Sequence, residues 1–248
     1  MKFEDHFSKL AGTYSKYRPN YPSALFEFLA SCCREHKQVW DCGTGNGQAA
    51  VALAEYFGQV YATDASKEQI VHAKPHPGIT YQVEPAEKVS LKTNSTDLVT
   101  VAVAVHWFNF ENFYNEVKRV LKREGVIAVW GYHLFIITPD IDKILNKYYS
   151  EILRGYWPER FHYVDTRYND LPFPFEELTP PKFEMITEWD LEQVAGFLNS
   201  WSGTKNYQQK TGQHPLNEIW KDLSKAWGDE KLKRKINWPL HIRVGIKR

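Results

Sequence analysis

Sulfur is scarce in this chain, with three cysteines and two methionines in 248 residues. Cys32 and Cys33 are neighbours and Cys42 falls inside an apolar run. They make neither a disulfide framework nor metal-ligand spacing. A reducing, cytoplasmic setting and no bound metal are the expectation. Charge of one sign is lacking too. Lys and Arg number 31 and Asp and Glu 30, a formal net charge of +1. That gives no broad attraction to nucleic acid or to a membrane surface, and neither is expected as a partner. The short basic cluster of Lys231, Lys233, Arg234 and Lys235 reads as a solvated helix end. No apolar run is long enough to span a bilayer. Met1 to His6 has none of the apolar character of a secretion signal. Internal repeats and low-complexity segments are also missing. What is plentiful is aromatic: Phe, Trp and Tyr make up 15 % of the residues. Many lie in the second half, where they suit an aromatic-lined pocket as well as ordinary core packing.

The length fits one α/β domain with insertions. Apolar spacing predicts a helix over Pro22 to Cys33 and strands at Gln38–Cys42, Gln59–Asp64 and Ile79–Val83. Leu98 to Val105 is the most continuous apolar run, as a central strand buried on both faces should be. A helix carrying Phe113, Val117, Val120 and Leu121 follows, and Gly125 opens a strand over Val126 to Trp130. Strands that alternate with helices in this way form a parallel sheet with right-handed crossovers. After Tyr132 the pattern changes to an aromatic, proline-rich insertion over 133–181, helical at Asp140 to Leu153 and irregular from Tyr168 to Pro181. A strand at Phe183 to Thr187, helices at Asp190 to Ser200 and Leu216 to Trp227, and a strand at Leu240 to Ile246 complete the reading.

Val39-Trp40-Asp41-Cys42-Gly43-Thr44-Gly45-Asn46-Gly47-Gln48 is the most informative stretch. It reads as a buried strand, a glycine-rich turn and a helix start. Without Cβ atoms, Gly43, Gly45 and Gly47 permit positive φ and present bare backbone to a ligand. The helix near Gln48 aims its free N–H groups at the turn. Asp64, closing the second strand, stands where doubly wound folds hydrogen-bond ribose hydroxyls. A nucleoside-containing ligand is therefore expected. The dinucleotide fingerprint would need its third glycine or alanine at Gln48, and here that glycine comes one residue early.

The D-x-G-x-G-x-G pattern resembles motif I of the class I S-adenosylmethionine-dependent methyltransferases. Further pieces resemble the methyltransferase type 11 group, with the trans-aconitate methyltransferase-like branch as the nearest likeness. The resemblance covers about Phe7 to Tyr132 well and the rest loosely. It implies a Rossmann-like α/β fold: a seven-stranded, mostly parallel sheet whose last strand inserts antiparallel, with a cap inserted after strand five. It divides the single domain 1–248 into a cofactor cover (1–35), a cofactor-binding core (36–132), a substrate-side insertion (133–181) and C-terminal strands and helices (182–248). It implies S-adenosylmethionine as cofactor and S-adenosylhomocysteine as product. Tyr14 and Arg18, in the segment Phe7 to Pro22, are the matching candidates for the cofactor carboxylate, which arginine's planar fork suits. Asp41, Gly43, Thr44, Gly45, Gly47 and Gln48 form the loop, with Asp41 able to attract the cofactor's amino group. Asp64 and Ala65 belong at the ribose, Ala86 and Glu87 at the adenine, and Ala104 and Val105 along the crevice. His106 is a candidate base or pocket wall, and Trp107 and Tyr132 are substrate-side candidates.

The branch methylates carboxylates, so a small carboxylic acid is the specific expectation for the acceptor. Arg154, Arg160, Arg167, His133 and His162 are the groups in the insertion that can meet an acid. No Asn-Pro-Pro-Tyr-type motif follows strand four, which counts against methylation of base amines or glutamine. Two alternatives stand beside this reading: a regulatory protein that binds the cofactor without catalysis, and a nicotinamide-dependent dehydrogenase.

Overall fold

In the computed structural model, residues 19–248 are described. A twisted sheet forms the middle layer, in the order β3-β2-β1-β4-β5-β8-β6, with β7 also on β8. Strands β1 (Gln38–Cys42), β2 (Gln59–Asp64), β3 (Ile79–Val83), β4 (Thr96–Ala102) and β5 (Leu121–Tyr132) run parallel. β8 (Arg234–Ile246) joins antiparallel to β5. Two short strands, β6 (Glu176–Leu178) and β7 (Glu184–Trp189), share the outer edge of β8 end to end. The sheet therefore has seven strand positions, one of them divided. This is the Rossmann-like, mostly parallel sheet with an antiparallel last strand that the sequence led us to expect.

The strands are apolar on both sides because helices cover both faces. Alternate residues feed two separate cores. Val39, Val60, Ala62, Leu98, Val126, Ala128 and Trp130 enter one. Trp40, Cys42, Val99, Val101, Ile127 and Val129 enter the other. The first core is closed by α1 (Ser23–Ser31), by α2 (Gln48–Leu53), and by α6 (Leu191–Asn199) and α8 (Trp220–Trp227) from the C-terminal part. The second core is closed by α4 (Phe110–Val120) through Phe113, Val117 and Val120. A shorter helix, α3 (Lys67–Val71), is capped by the Ser66 hydroxyl, which accepts from the Gln69 amide.

Residues 133–181 contribute to both cores. Helix α5 (Pro139–Lys147) and the wider turn Tyr148–Ile152 place Ile141, Leu145 and Tyr148 in the first. Val164, Tyr168 and Leu171 enter the second. The segment thus crosses from one face of the sheet to the other beyond the carboxyl ends of β4 and β5. Among the described residues, no helix is long and apolar enough to cross a membrane.

Several boundaries differ from expectation. β4 stops at Ala102, three residues early, because Val103 takes φ 55° and donates its N–H to Trp130 O. β5 begins at Leu121, with Glu124 at φ 61° and a register shift before Val126. β8 begins at Arg234, before the clean alternation. The region from Tyr168 to Pro181 contains β6. The helix expected over Leu216 to Trp227 is a 3-10 turn, Pro215–Glu218, followed by α8. Helix α7 (Ser202–Thr211) was not anticipated.

Candidate active site

The glycine loop turns between β1 and α2. Gly43, Gly45 and Gly47 have φ of 67°, 56° and 80°, the left-handed region where a Cβ is costly. Two are also hemmed in. A Cβ on Gly43 would lie 2.7 Å from the Ala104 methyl, and one on Gly47 would strike the Tyr81 ring. Gly45 differs: among the described residues, its Cβ position meets only Gln69 Oε1, at 3.8 Å. The loop presents its bare backbone at Gly45.

Asp41 organises the loop from below. It is 0 % exposed, and its two oxygens accept from the Thr44 hydroxyl (2.6 Å) and the Thr100 hydroxyl (2.8 Å). Burial pushes its carboxyl up to about 6, against those two bonds, and the charge of Asp64 adds to the rise. Held by two hydroxyls, the fully buried carboxylate braces the loop from beneath. Thr44 N donates to Thr63 O, tying the turn to the end of β2.

Asp64 stands where the sequence placed it. Its carboxylate accepts from Gly45 N (2.9 Å) and from Ser66 N (2.8 Å), so it joins the glycine loop to the cap of α3 with Ala65 between. Gln48 opens α2. Its amide reaches away from the loop, donating to Pro19 O (2.7 Å) and Asn20 Oδ1 (3.1 Å). Ala86 is buried, and Glu87 accepts from Asn109 N at 2.8 Å, which holds the turn after β3 against the start of α4. Tyr14 and Arg18 lie outside the described residues.

Beyond β4, the strained Val103 leads into Ala104 and a 3-10 turn, Val105–Trp107. His106 is 1 % exposed, and its Nδ1 lies 3.0 Å from the Tyr168 hydroxyl. Its Nε2 is buried without a hydrogen-bond partner among the described residues. Burial and then the charge of Arg160 hold its pKa down at about 3, so the ring is neutral at any physiological pH. Arg160 donates to the carbonyls of His106 (3.2 Å) and Phe108 (2.7 Å). Its guanidinium is thus occupied in shaping this turn. Trp107 packs on His106 with ring centroids 4.9 Å apart. Tyr132 packs on the first core.

An aromatic wall leaves His106. Phe161 lies 5.7 Å from it between centroids, Trp157 stacks on Phe161 at 4.7 Å, Tyr149 follows at 4.6 Å, and His133 at 4.6 Å. The wall ends on Asp165, whose Oδ1 lies 3.1 Å from His133 Nε2 and accepts from the Tyr149 hydroxyl. Burial pushes the Asp165 carboxyl up, but these bonds outweigh it and leave it below the usual range. Trp157, with Tyr156, is the residue of this wall that the sequence offered as an apolar wall; Tyr149, Asp165 and Tyr168 were not singled out, and the aromatic richness of 133–181 was the only signal for the two tyrosines. A separate groove of about 480 Å³ runs along α4 past Phe110, Tyr114 and Phe173. No residue of the glycine loop lines it, and the chemistry described here lies elsewhere.

Similarity to known proteins agrees with this geometry. A family model described as "Methyltransferase domain" matches residues 40–129. A Dictyostelium discoideum protein named as a methyltransferase is 34 % identical over 97 % of this chain and 94 % of its own length. A Saccharomyces cerevisiae protein named as an S-adenosylmethionine-dependent methyltransferase is 27 % identical, over 76 % of this chain and 77 % of its own. The solved structure of a type II methyltransferase from Anaeromyxobacter dehalogenans superposes with a TM-score of 0.87 at 38 % identity, covering 93 % of this chain and 98 % of that one. Likeness that runs nearly end to end, in sequence and in fold, sets aside the dehydrogenase and non-catalytic alternatives: the chain belongs to the class I S-adenosylmethionine-dependent methyltransferases of the type 11 group.

Proposed function

We propose that this enzyme methylates a small molecule on a carboxylate oxygen. The observation that carries the reading is the state of His106. The imidazole nearest the end of β4 is buried, bonded to Tyr168 and far too weakly basic to take a proton at neutral pH. It serves as a wall. An acceptor that needs no base from this wall suits the site, and a carboxylate, already ionised at neutral pH, is one. The near-neutral net charge of +1 favours a small acceptor over a nucleic acid.

The residues present fit the cofactor. Gly45 presents uncovered backbone, and beside it Gln69 Oε1 is a buried acceptor without a partner among the described residues. In this reading Gly43, Thr44, Gly45 and Gly47 hold the methionine half by backbone contact. Asp64, with Ala65, receives the ribose hydroxyls. Ala86 and Glu87 flank the adenine, while Ala104 and Val105 line the crevice. Tyr14 and Arg18 would meet the cofactor carboxylate. Bound S-adenosylmethionine supplies a sulfonium methyl with a good leaving group. The chain's own work is alignment and exclusion of water. Residues 1–35 would cover the cofactor, 36–132 bind it, 133–181 face the acceptor with Trp107 and Tyr132, and 182–248 complete the fold.

The test is incubation with S-adenosylmethionine and matched benzoate, phenol and benzylamine acceptors, reading S-adenosylhomocysteine and the methylated product by mass spectrometry. The expected product is a methyl ester. Turnover of the phenol or the amine without the carboxylate would overturn the acceptor class.

A further inference from the structure

His106 is only half satisfied. Its Nδ1 has the Tyr168 hydroxyl at 3.0 Å, while its Nε2 is buried and bonds nothing among the described residues. The residue is 1 % exposed, and an orphaned polar atom at that depth is costly enough to need a reason. A ligand supplies one where the atom stands beside a binding site, and this one does. The turn that carries His106 starts and ends on the glycine loop. Ala104 and Phe108 are the side chains nearest a Cβ on Gly43, at 2.7 and 3.2 Å. The imidazole itself meets Phe161 and Tyr168 of the segment 133–181. His106 therefore stands between the cofactor loop and the segment read as facing the acceptor.

The surroundings select what Nε2 can bind. Among the described residues the ring bonds no carboxylate. Arg160 puts a positive charge on the frame of the same turn, donating through Nη1 to the carbonyls of His106 and Phe108. An anion complements such a place. Tyr168 is fixed for its contact. Arg167 and Tyr168 hold φ of 55° and 63°, a strained pair of the kind that gathers at functional sites. Backbone bonds keep Tyr168 there: its N–H donates to Tyr163 O, and its carbonyl accepts from Arg243 Nη1. A phenol hydroxyl can donate to Nδ1 only when the neutral ring carries its proton on Nε2.

We propose that His106 is a hydrogen-bond donor to the acceptor: Tyr168 donates to Nδ1 and so keeps the proton on Nε2, and Nε2–H holds one oxygen of the acceptor carboxylate. This rests on the carboxylate reading of the same site. The other oxygen attacks the sulfonium methyl. A C–O bond forms, the C–S bond breaks with its electron pair passing to sulfur, and no proton moves. The carboxylate loses its charge as the new bond forms, so the bond from Nε2 is stronger in the bound acceptor than in the transition state. His106 binds and orients; Tyr168 is a positioning residue that acts through it.

The experiment is proton and nitrogen NMR of the full chain carrying isotope-labelled histidine and saturated with S-adenosylhomocysteine. The expected result is a His106 proton on Nε2 that shifts downfield when benzoate or glutarate is added. Y168F should let the proton distribute over both nitrogens, a change that a merely structural tyrosine would not cause. A proton on Nδ1 in the wild type, or an Nε2 signal that neither the carboxylates nor phenol moves, would overturn the proposal. Methyl-ester kinetics run in parallel. H106L should raise KM for the carboxylate about tenfold or more with kcat little changed, and H106Q, which keeps an N–H, should restore most of the loss. Unchanged affinity of both variants for S-adenosylhomocysteine shows that they fold. Esters formed by H106L with the wild-type KM would reject the donor and keep the acceptor class. Turnover of phenol alone, with the Nε2 proton shifted by phenol, would reject the acceptor class and keep the donor.

Discussion

At the residue scale, three side chains show how the same chemistry takes different roles according to burial. Asp64 and Asp41 are both acids beside one glycine loop. Asp64 reaches backbone amides on either side of the crevice, and Asp41 is sealed under it by two threonines. Asp64→Ala removes a tether of Gly45 as well as the proposed ribose acceptor. Calorimetry should show S-adenosylmethionine affinity falling about tenfold or more; unchanged affinity would reject the role. His106 predicts a negative result. Because its ring stays neutral down to about pH 3, kcat between pH 5 and 8 should show no inflection that disappears in H106Q. Asp64 was legible in the sequence because it ends a short apolar run at the right distance from the glycines. The burial of Asp41 was not, since Thr44 and Thr100 are 56 residues apart along the chain and meet only when β4 lies beside β1.

At the scale of elements, β1, β2 and β3 appear with the bounds that periodicity predicts, because each is a short apolar run between turn residues. Helix α7 was hidden for a physical reason. Ser202-Gly-Thr-Lys-Asn is polar and poor in helix propensity, and packing overrides it. Gly203 lies under the Trp157 ring, and the Thr204 hydroxyl bonds both Tyr148 and Leu198 O. The end of β4 was misread because Val103 is apolar, while its backbone turns left-handed to reach Trp130 O. Two substitutions separate the jobs of the loop. Gly47→Ala, crowded by Tyr81 at φ 80°, should lower stability by about 1–3 kcal/mol in urea unfolding. Gly45→Val has room for its side chain but is strained at φ 56°, so it should lose some stability, still fold, and block the cofactor; normal S-adenosylmethionine binding by that folded variant would sink the loop assignment. Asp190 begins α6 with a capping box closed by Gln193. Asp190→Ala should cost about 1 kcal/mol by the same measurement, with cofactor binding untouched.

At the scale of the whole molecule, pH stability follows from the buried titratable groups. His106 and His241 have folded values of about 3 and 4, below the ordinary 6.5. As pH falls below 6.5 the unfolded chain takes up protons that the folded one refuses, so stability drops. Asp41 has the opposite sign. Raised from 3.8 to about 6, it favours the folded state on the acid side, and that contribution fades as pH rises through 6. Two histidines outweigh one aspartate over pH 4 to 6.5, where each group changes stability by at most about 1.4 kcal/mol per pH unit. Urea unfolding at pH 7 and pH 5 should show the loss, and H106Q should shrink it.

β8 bonds β5 on one edge and both β6 and β7 on the other. The ribosome delivers it after all three. Until Arg234 to Ile246 emerge, the finished parallel half carries the bare edge of β5 from Val126 to Tyr132, open to pairing with a neighbouring nascent chain. Translation of residues 133–233, roughly 5–20 s, is the interval over which that edge waits for its partner.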